Sequence, residues 1–289
     1  MRTLLIAAPI FLGLIASPPL QSQSQQPLAF EVASIKENKS TDPRTGIAMQ
    51  FLPGGRLAVR NVVLNFLIAQ AYNLPPQSAR LSGGPDWIRN TRYDIEATAE
   101  KGVIPEGTSV KVRDEKIRLM IQALFADRFK LVMRRETREL PVYAVTVAKN
   151  GPKLQKAAVE EKDCSENPSG PNDPAWCHGV SGGQGRGIQG PAMSISDLVA
   201  AVEAFADRPV VDNTGLQGLF NIQTEGWVPM RPRPPRPPGQ EPTAEDLAFA
   251  DTARPTIFQI FDRLGLKLES TKAAVEIFVI DRIEKPGEN

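Results

Sequence analysis

Apolar and polar residues alternate along three stretches in the first part of the chain, and a period of two is typical of strands. These stretches cover residues 30–36, 56–60 and 93–99. In two others, residues 62–72 and 113–129, apolar positions recur at three and four, which is the spacing of a helix that buries one face. The pattern therefore predicts strands alternating with two helices.

Two further strand-like segments, residues 130–135 and 140–147, are separated by the polar residues 136–139. A polar break between two strand-like runs is typical of a hairpin turn. With this hairpin, the first part of the chain is predicted to run β, β, α, β, α, β, β.

The second part repeats this order in a looser form. A strand and a capped helix are predicted over 193–206, and a hairpin follows, with Val210 and Val211 on one side and residues 219–224 on the other. A further helix is predicted around 257–261, before strands at 266–268 and 275–280. The repeat predicts an internal duplication.

The sequence thus predicts an α+β fold of two similar β-α-β-β-α-β-type halves, with helices packed on mostly antiparallel sheets. We expect the first half over residues 28–149 and the second over 191–286, joined by an irregular, disulfide-pinned segment, 150–190. The second half carries a proline- and arginine-rich loop, 228–243.

That loop favours solvated polyproline II structure, because prolines recur between its arginines. Its cations Arg231, Arg233 and Arg236 could contact a partner. The alternative interpretation is an ordinary exposed loop, since loops tolerate such insertions.

The N-terminus has the pattern of a secretory signal peptide over residues 1–24. Arg2 supplies the positive charge, and the apolar run 4–16 is too short to span a bilayer comfortably. Small residues suit cleavage after Ser24; cleavage near Ala16 and an uncleaved anchor are the alternatives. No cysteine lies near enough for a lipid anchor, so we expect a periplasmic or secreted protein without a transmembrane segment after cleavage.

Composition narrows the function classes. The 34 basic and 33 acidic residues leave a net charge of +1, which gives no electrostatic reason to expect nucleic acid. The two cysteines, Cys164 and Cys177, are expected to form a disulfide in an exported protein. A metal site would need more ligands than these cysteines and His178, the one histidine of the chain.

Two short motifs resemble functional loops but lack the required context. Residues 185–190 match the glycine pattern of dinucleotide-binding loops, yet no strand is predicted before them and Pro191 follows. Residues 210–215 resemble an aspartic-protease loop, but Asn213 breaks the spacing. We therefore predict no catalytic residues, cofactor or metal.

Several short sequence motifs occur in order along the mature chain: Phe30 to Lys36, Gly83 to Trp87, Tyr93 to Ile95, Leu124 to Leu131, Pro209 to Leu216, and Val279 to Asp281. With these motifs the chain resembles a soil-associated family of exported bacterial proteins described as a domain of unknown function. The resemblance implies export and no assigned activity. More distantly, each half is similar in pattern to the N-terminal domains of secretins and TonB receptors, which make protein contacts in the periplasm.

We expect a periplasmic or secreted protein-interaction or sensing module, whose partner is another envelope or secreted protein. One alternative is an exported hydrolase that uses Asp86, Asp212 or His178 as acid or base; Asp94 and these two aspartates are otherwise expected to be turn or cap residues. Another is a small-molecule carrier with a cleft between the halves, walled by Trp87 and Trp227.

Overall fold

A computed structural model describes residues 28–40, 46–76, 78–230 and 254–287 of the chain. These residues form three four-stranded sheets and five α-helices. Most strand pairs are antiparallel, so the predicted α+β class is confirmed. No helix in these ranges is both long and apolar enough to cross a membrane.

The first sheet has the order β1-β5-β3-β2, and all its neighbours are antiparallel. Helices α1 and α3 contribute to the core behind it, together with Phe278 and Ile280. Alternate residues of β5 are buried, as its period-two pattern predicts. The elements are β1 (Phe30–Glu37), β2 (Ala48–Leu52), β3 (Arg56–Val63), α1 (Leu64–Ala71), α2 (Trp87–Asn90), β5 (Arg92–Ala99) and α3 (Val110–Arg128).

The central sheet takes strands from both predicted halves. Its two long strands, β6 (Val132–Val147) and β12 (Leu266–Arg282), run antiparallel along nearly their whole length. A short strand lies parallel at each outer side: β4 (Leu81–Gly83) beside β12 and β10 (Val210–Asp212) beside β6.

The third sheet has the order β7-β11-β9-β8. It packs with helices α4 and α5 around a second core that contains the fully buried Trp227. Both helices begin at capping boxes, Ser194 with Asp197 and Thr256 with Gln259. The elements are β7 (Gln155–Lys156), β8 (Ser181–Gly183), β9 (Gly187–Met193), α4 (Ile195–Glu203), β11 (Phe220–Gln223) and α5 (Ile257–Arg263).

Two predicted hairpins are wrong. Residues 136–139 form no hairpin turn but continue β6, because they pair in register with Ala274 to Ile277 of β12. Residues 266–268 and 275–280 are extended as predicted, but they belong to one continuous strand, β12. The predicted hairpin of 210–211 with 219–224 is absent as well, since β10 pairs with β6 and β11 pairs with β9 and β7.

The strand orders of the first and third sheets correspond position by position, β1-β5-β3-β2 to β7-β11-β9-β8. Shared topology does not establish a common origin, so the internal duplication and the predicted boundaries of the halves stay predictions. Segment 150–190 contributes β7, β8 and the start of β9 to the third sheet.

Candidate functional site

The predicted disulfide is confirmed. Cys164 and Cys177, 13 positions apart, are joined at a Cα–Cα distance of 5.5 Å. The segment that they close is fastened to the third sheet: Cys177 bridges Ala192 of β9, and the backbone N–H of His178 donates to the Ala192 carbonyl at 2.8 Å. The disulfide segment is therefore anchored on a strand at its C-terminal end.

The imidazole of His178 links the disulfide segment to α4. Its Nδ1 lies 2.7 Å from Asp197 Oδ2 and its Nε2 lies 2.8 Å from Glu161 Oε1. Burial lowers the pKa of His178, but the hydrogen bonds to Glu161 and Asp197 and their negative charges outweigh it and raise the pKa above its usual value. A protonated imidazole can donate to both carboxylates at once, as this geometry requires.

Asp197 has two roles, because the carboxylate oxygen that is hydrogen-bonded to His178 also completes the capping box of α4. Its Oδ2 accepts from the backbone N–H of Ser194 at 2.8 Å and from the Ser194 hydroxyl at 2.7 Å. His178 is also held in the left-handed backbone region, with φ +58°. These constraints fix the position of the imidazole.

Between the disulfide segment and the start of α3 lies a groove of about 820 Å³, which we call the disulfide groove. Val112, Pro168, Trp176 and the disulfide supply apolar lining. The Trp176 ring packs directly on Gly179, where an added Cβ would lie 2.0 Å from ring carbons, so a side chain at this position would displace the ring. A groove of this size with an aromatic wall is the kind of surface that holds a ligand or peptide.

Charged side chains lie on both sides of the disulfide groove. Lys111 lies on the α3 side, and Glu161 and Glu166 lie on the side of the disulfide segment. In the described residues, no cluster of three or more histidine, cysteine, aspartate or glutamate side chains could hold a metal ion. The lining therefore supports recognition by apolar contact with charged groups at the margins.

A second polar cluster joins residues of the two predicted halves. Glu203, at the end of α4, accepts from Arg80 Nε at 2.9 Å, Arg80 Nη2 at 2.8 Å, the Ser78 hydroxyl at 3.2 Å and the Val210 N–H at 3.0 Å. The Glu203 side chain is 5% exposed and that of Arg80 is 24% exposed. This pair was not predicted from the sequence, although a glutamate inside the apolar stripe of α4 is a detectable sign of a buried partner.

The aspartates weighed as catalytic groups lie in local structural roles. Asp212 Oδ1 accepts from the Thr214 N–H and hydroxyl, which makes a turn, and Asp94 Oδ1 accepts from the backbone N–H of Asn61. Asp86 precedes α2 without a side-chain capping bond. No hydrogen bond found in the described residues joins any two of Asp86, Asp212 and His178, so the structure does not assemble them into one site.

The other residues weighed from the sequence also lie apart. Trp87 packs against the core of the first sheet, and Trp227 is fully buried in the core of the third, so they do not face each other across a cleft. Of residues 185–190, the last four already belong to strand β9, and no helix that could bind phosphate follows them directly. The predicted signal peptide, 1–24, and the loop arginines Arg231, Arg233 and Arg236 lie outside the described residues.

Sequence comparison places residues 65–283 in one family, described as protein of unknown function (DUF3738). No curated protein and no solved structure matches the chain. The expected membership of a family of unknown function is confirmed. The soil association and the similarity to secretin and TonB-receptor domains stay predictions.

Proposed function

The chain belongs to the DUF3738 family, whose description states no function, and we propose that it is an exported interaction module that holds an extended segment of a partner protein in the disulfide groove. The observation that carries this proposal is the groove of about 820 Å³ with Trp176 in its wall. Aromatic side chains offer a large apolar surface with few rotatable bonds, which suits them to anchor a partner.

The walls of the groove support binding without large rearrangement. One wall is the first turn of the 19-residue helix α3, and the other is closed by the disulfide and tied to α4 through His178. Preformed walls reduce the entropy that binding must overcome. The disulfide also supports export, since such bonds persist in oxidising compartments.

Site-specific cross-linking tests the proposal with a matched control on the same helix. Val112 and Leu119 of α3 are both 43% exposed, but only Val112 lines the groove. A photoreactive phenylalanine analogue is placed at either position in the full chain, which is expressed in its native host and irradiated in intact cells. We expect a discrete protein adduct from position 112 that is absent from position 119, and mass spectrometry identifies the peptide bound.

The variant Trp176→Ala adds a second control, because it removes the aromatic wall and leaves α3 unchanged. We expect it to abolish the adduct at position 112. Equal adducts from both positions, no adduct at 112, or an adduct that survives Trp176→Ala would contradict the proposal. Deletion of 229–241 in the same assay tests the predicted contribution of the arginine-rich loop.

A further inference from the structure

A second cavity, of about 270 Å³, lies where the predicted halves meet. Its lining combines side chains of β2, α1, α3 and α4 with the Leu74–Pro76 segment. Most of the lining is apolar: Met49, Phe51, Leu74, Pro75, Ile121 and Ala204. A cavity of about 350 Å³ adjoins it and shares Asn73, Leu74, Pro75 and Ala200.

Arg118 of α3 supplies the cation of the first cavity. It is half-buried, and in the described part of the chain it has no hydrogen bond or ion pair. Two other arginines of α3 differ in this respect, since Arg113 pairs with Asp114 and Arg128 pairs with Asp127. A partly desolvated guanidinium without an anion is costly and presents a planar fork that fits a carboxylate.

The surrounding polar groups leave this cation free to act on a ligand. Gln70 and Asn73 bring amide groups to the same lining. In the adjoining cavity, Arg80 and Glu203 already neutralise each other at 2.8 Å, so Arg80 does not compete for an anion. One uncompensated cation at an apolar cavity calls for a ligand with one negative charge and an apolar remainder.

We propose that this cleft binds a small monocarboxylate with an apolar tail. The carboxylate pairs with Arg118, and the tail lies against Phe51, Leu74 and Ile121. Gln70 and Asn73 complete the hydrogen bonds around the carboxylate. This site is separate from the disulfide groove, and the proposal does not depend on the interaction function.

The test uses hexanoate as the probe and hexanamide as its neutral counterpart, added to the mature, disulfide-bonded protein labelled with ¹⁵N. We expect hexanoate to cause saturable amide shifts in α3, α1 and the 73–76 segment. Hexanamide should bind at least about tenfold more weakly than hexanoate, because the charge-assisted hydrogen bond is lost. Arg118→Gln should weaken hexanoate binding to the level of hexanamide. The control Arg113→Gln, on the same helix but outside the cavity, should bind hexanoate like the unaltered protein.

Ala200→Leu provides a second variant that keeps the charge and narrows the space shared by both cavities. We expect it to weaken hexanoate and hexanamide together. The proposal is overturned if the unaltered protein shows no saturable shifts with hexanoate, if hexanamide binds equally well, or if a folded Arg118→Gln variant keeps its affinity. An unchanged affinity in Ala200→Leu would place the probe elsewhere and overturn it as well.

Discussion

Replacing Glu203 by alanine should lower the free energy of unfolding by about 3–5 kcal/mol, because it breaks a buried ion pair by removing one partner. The Glu203 carboxylate accepts hydrogen bonds from the guanidinium of Arg80, the backbone N–H of Val210 and the Ser78 hydroxyl. After the substitution the guanidinium of Arg80 keeps its bond to the Val210 carbonyl at 2.9 Å but has no counter-charge.

Two comparisons separate this mechanism from a general loss of packing. The double variant Arg80→Met, Glu203→Leu removes both charges, so it should cost less than Glu203→Ala, since no uncompensated charge stays buried. Glu96→Ala, which breaks an exposed pair with Arg60, should cost about 1 kcal/mol or less, because solvent screens that pair.

Urea unfolding at neutral pH, followed by far-ultraviolet circular dichroism and tryptophan fluorescence, measures these differences. Unchanged slopes with denaturant would show that the variants alter stability and not the extent of unfolding. If Glu203→Ala costs no more than Glu96→Ala, or less than the double variant, the buried ion pair between Arg80 and Glu203 does not stabilise the fold by this mechanism.

Three further predictions concern the disulfide groove and the third sheet. Because Glu161 and Asp197 outweigh burial and raise the pKa of His178, its stabilising contribution should be complete below the unfolded pKa of about 6.5 and disappear as the pH rises through the higher folded value. The free energy of unfolding of the unaltered protein, measured across this pH range, should show that loss, whereas that of His178→Gln should not. The same pH dependence in both proteins would contradict the prediction. Replacing both cysteines by serine should lower the free energy of unfolding by about 3 kcal/mol, because the disulfide closes a loop of 13 positions. Thermal unfolding with and without a dithiol measures this loss, and the dithiol should destabilise only the unaltered protein. Gly187→Ala should lower the free energy of chemical unfolding more than Gly102→Ala does. Both glycines have positive φ, but only at Gly187 would an added Cβ lie 2.0 Å from a backbone oxygen, that of Thr224. Equal losses of stability in the two variants would contradict this steric clash.

The disulfide groove was only partly predictable. The cysteine count and the export pattern predicted the bond between Cys164 and Cys177. The contacts of His178 with Glu161 and Asp197 join residues 17 and 19 positions apart, and no local spacing rule covers such pairs. Trp176 carried no sign of its role, since an aromatic residue in an irregular segment can equally belong to a core.

Local periodicity by itself determined the class of the fold and most of its elements. Alternation located β1, β3 and β5, and apolar residues at three and four located α3, because both patterns reflect which side chains of a single element share a face. Membership in a family of unknown function was also visible in the ordered motifs of the chain.

Tertiary structure alone decided how the strands pair. The polar residues 136–139 predicted a turn, yet they pair with the partner strand β12 and are extended, and β10 pairs with β6 and not with β11, its neighbour in sequence. Pairing depends on hydrogen bonds between distant segments, which a local pattern does not encode. The same holds for the Arg80–Glu203 contact and the cavity at Arg118, because both combine side chains that lie far apart in the chain.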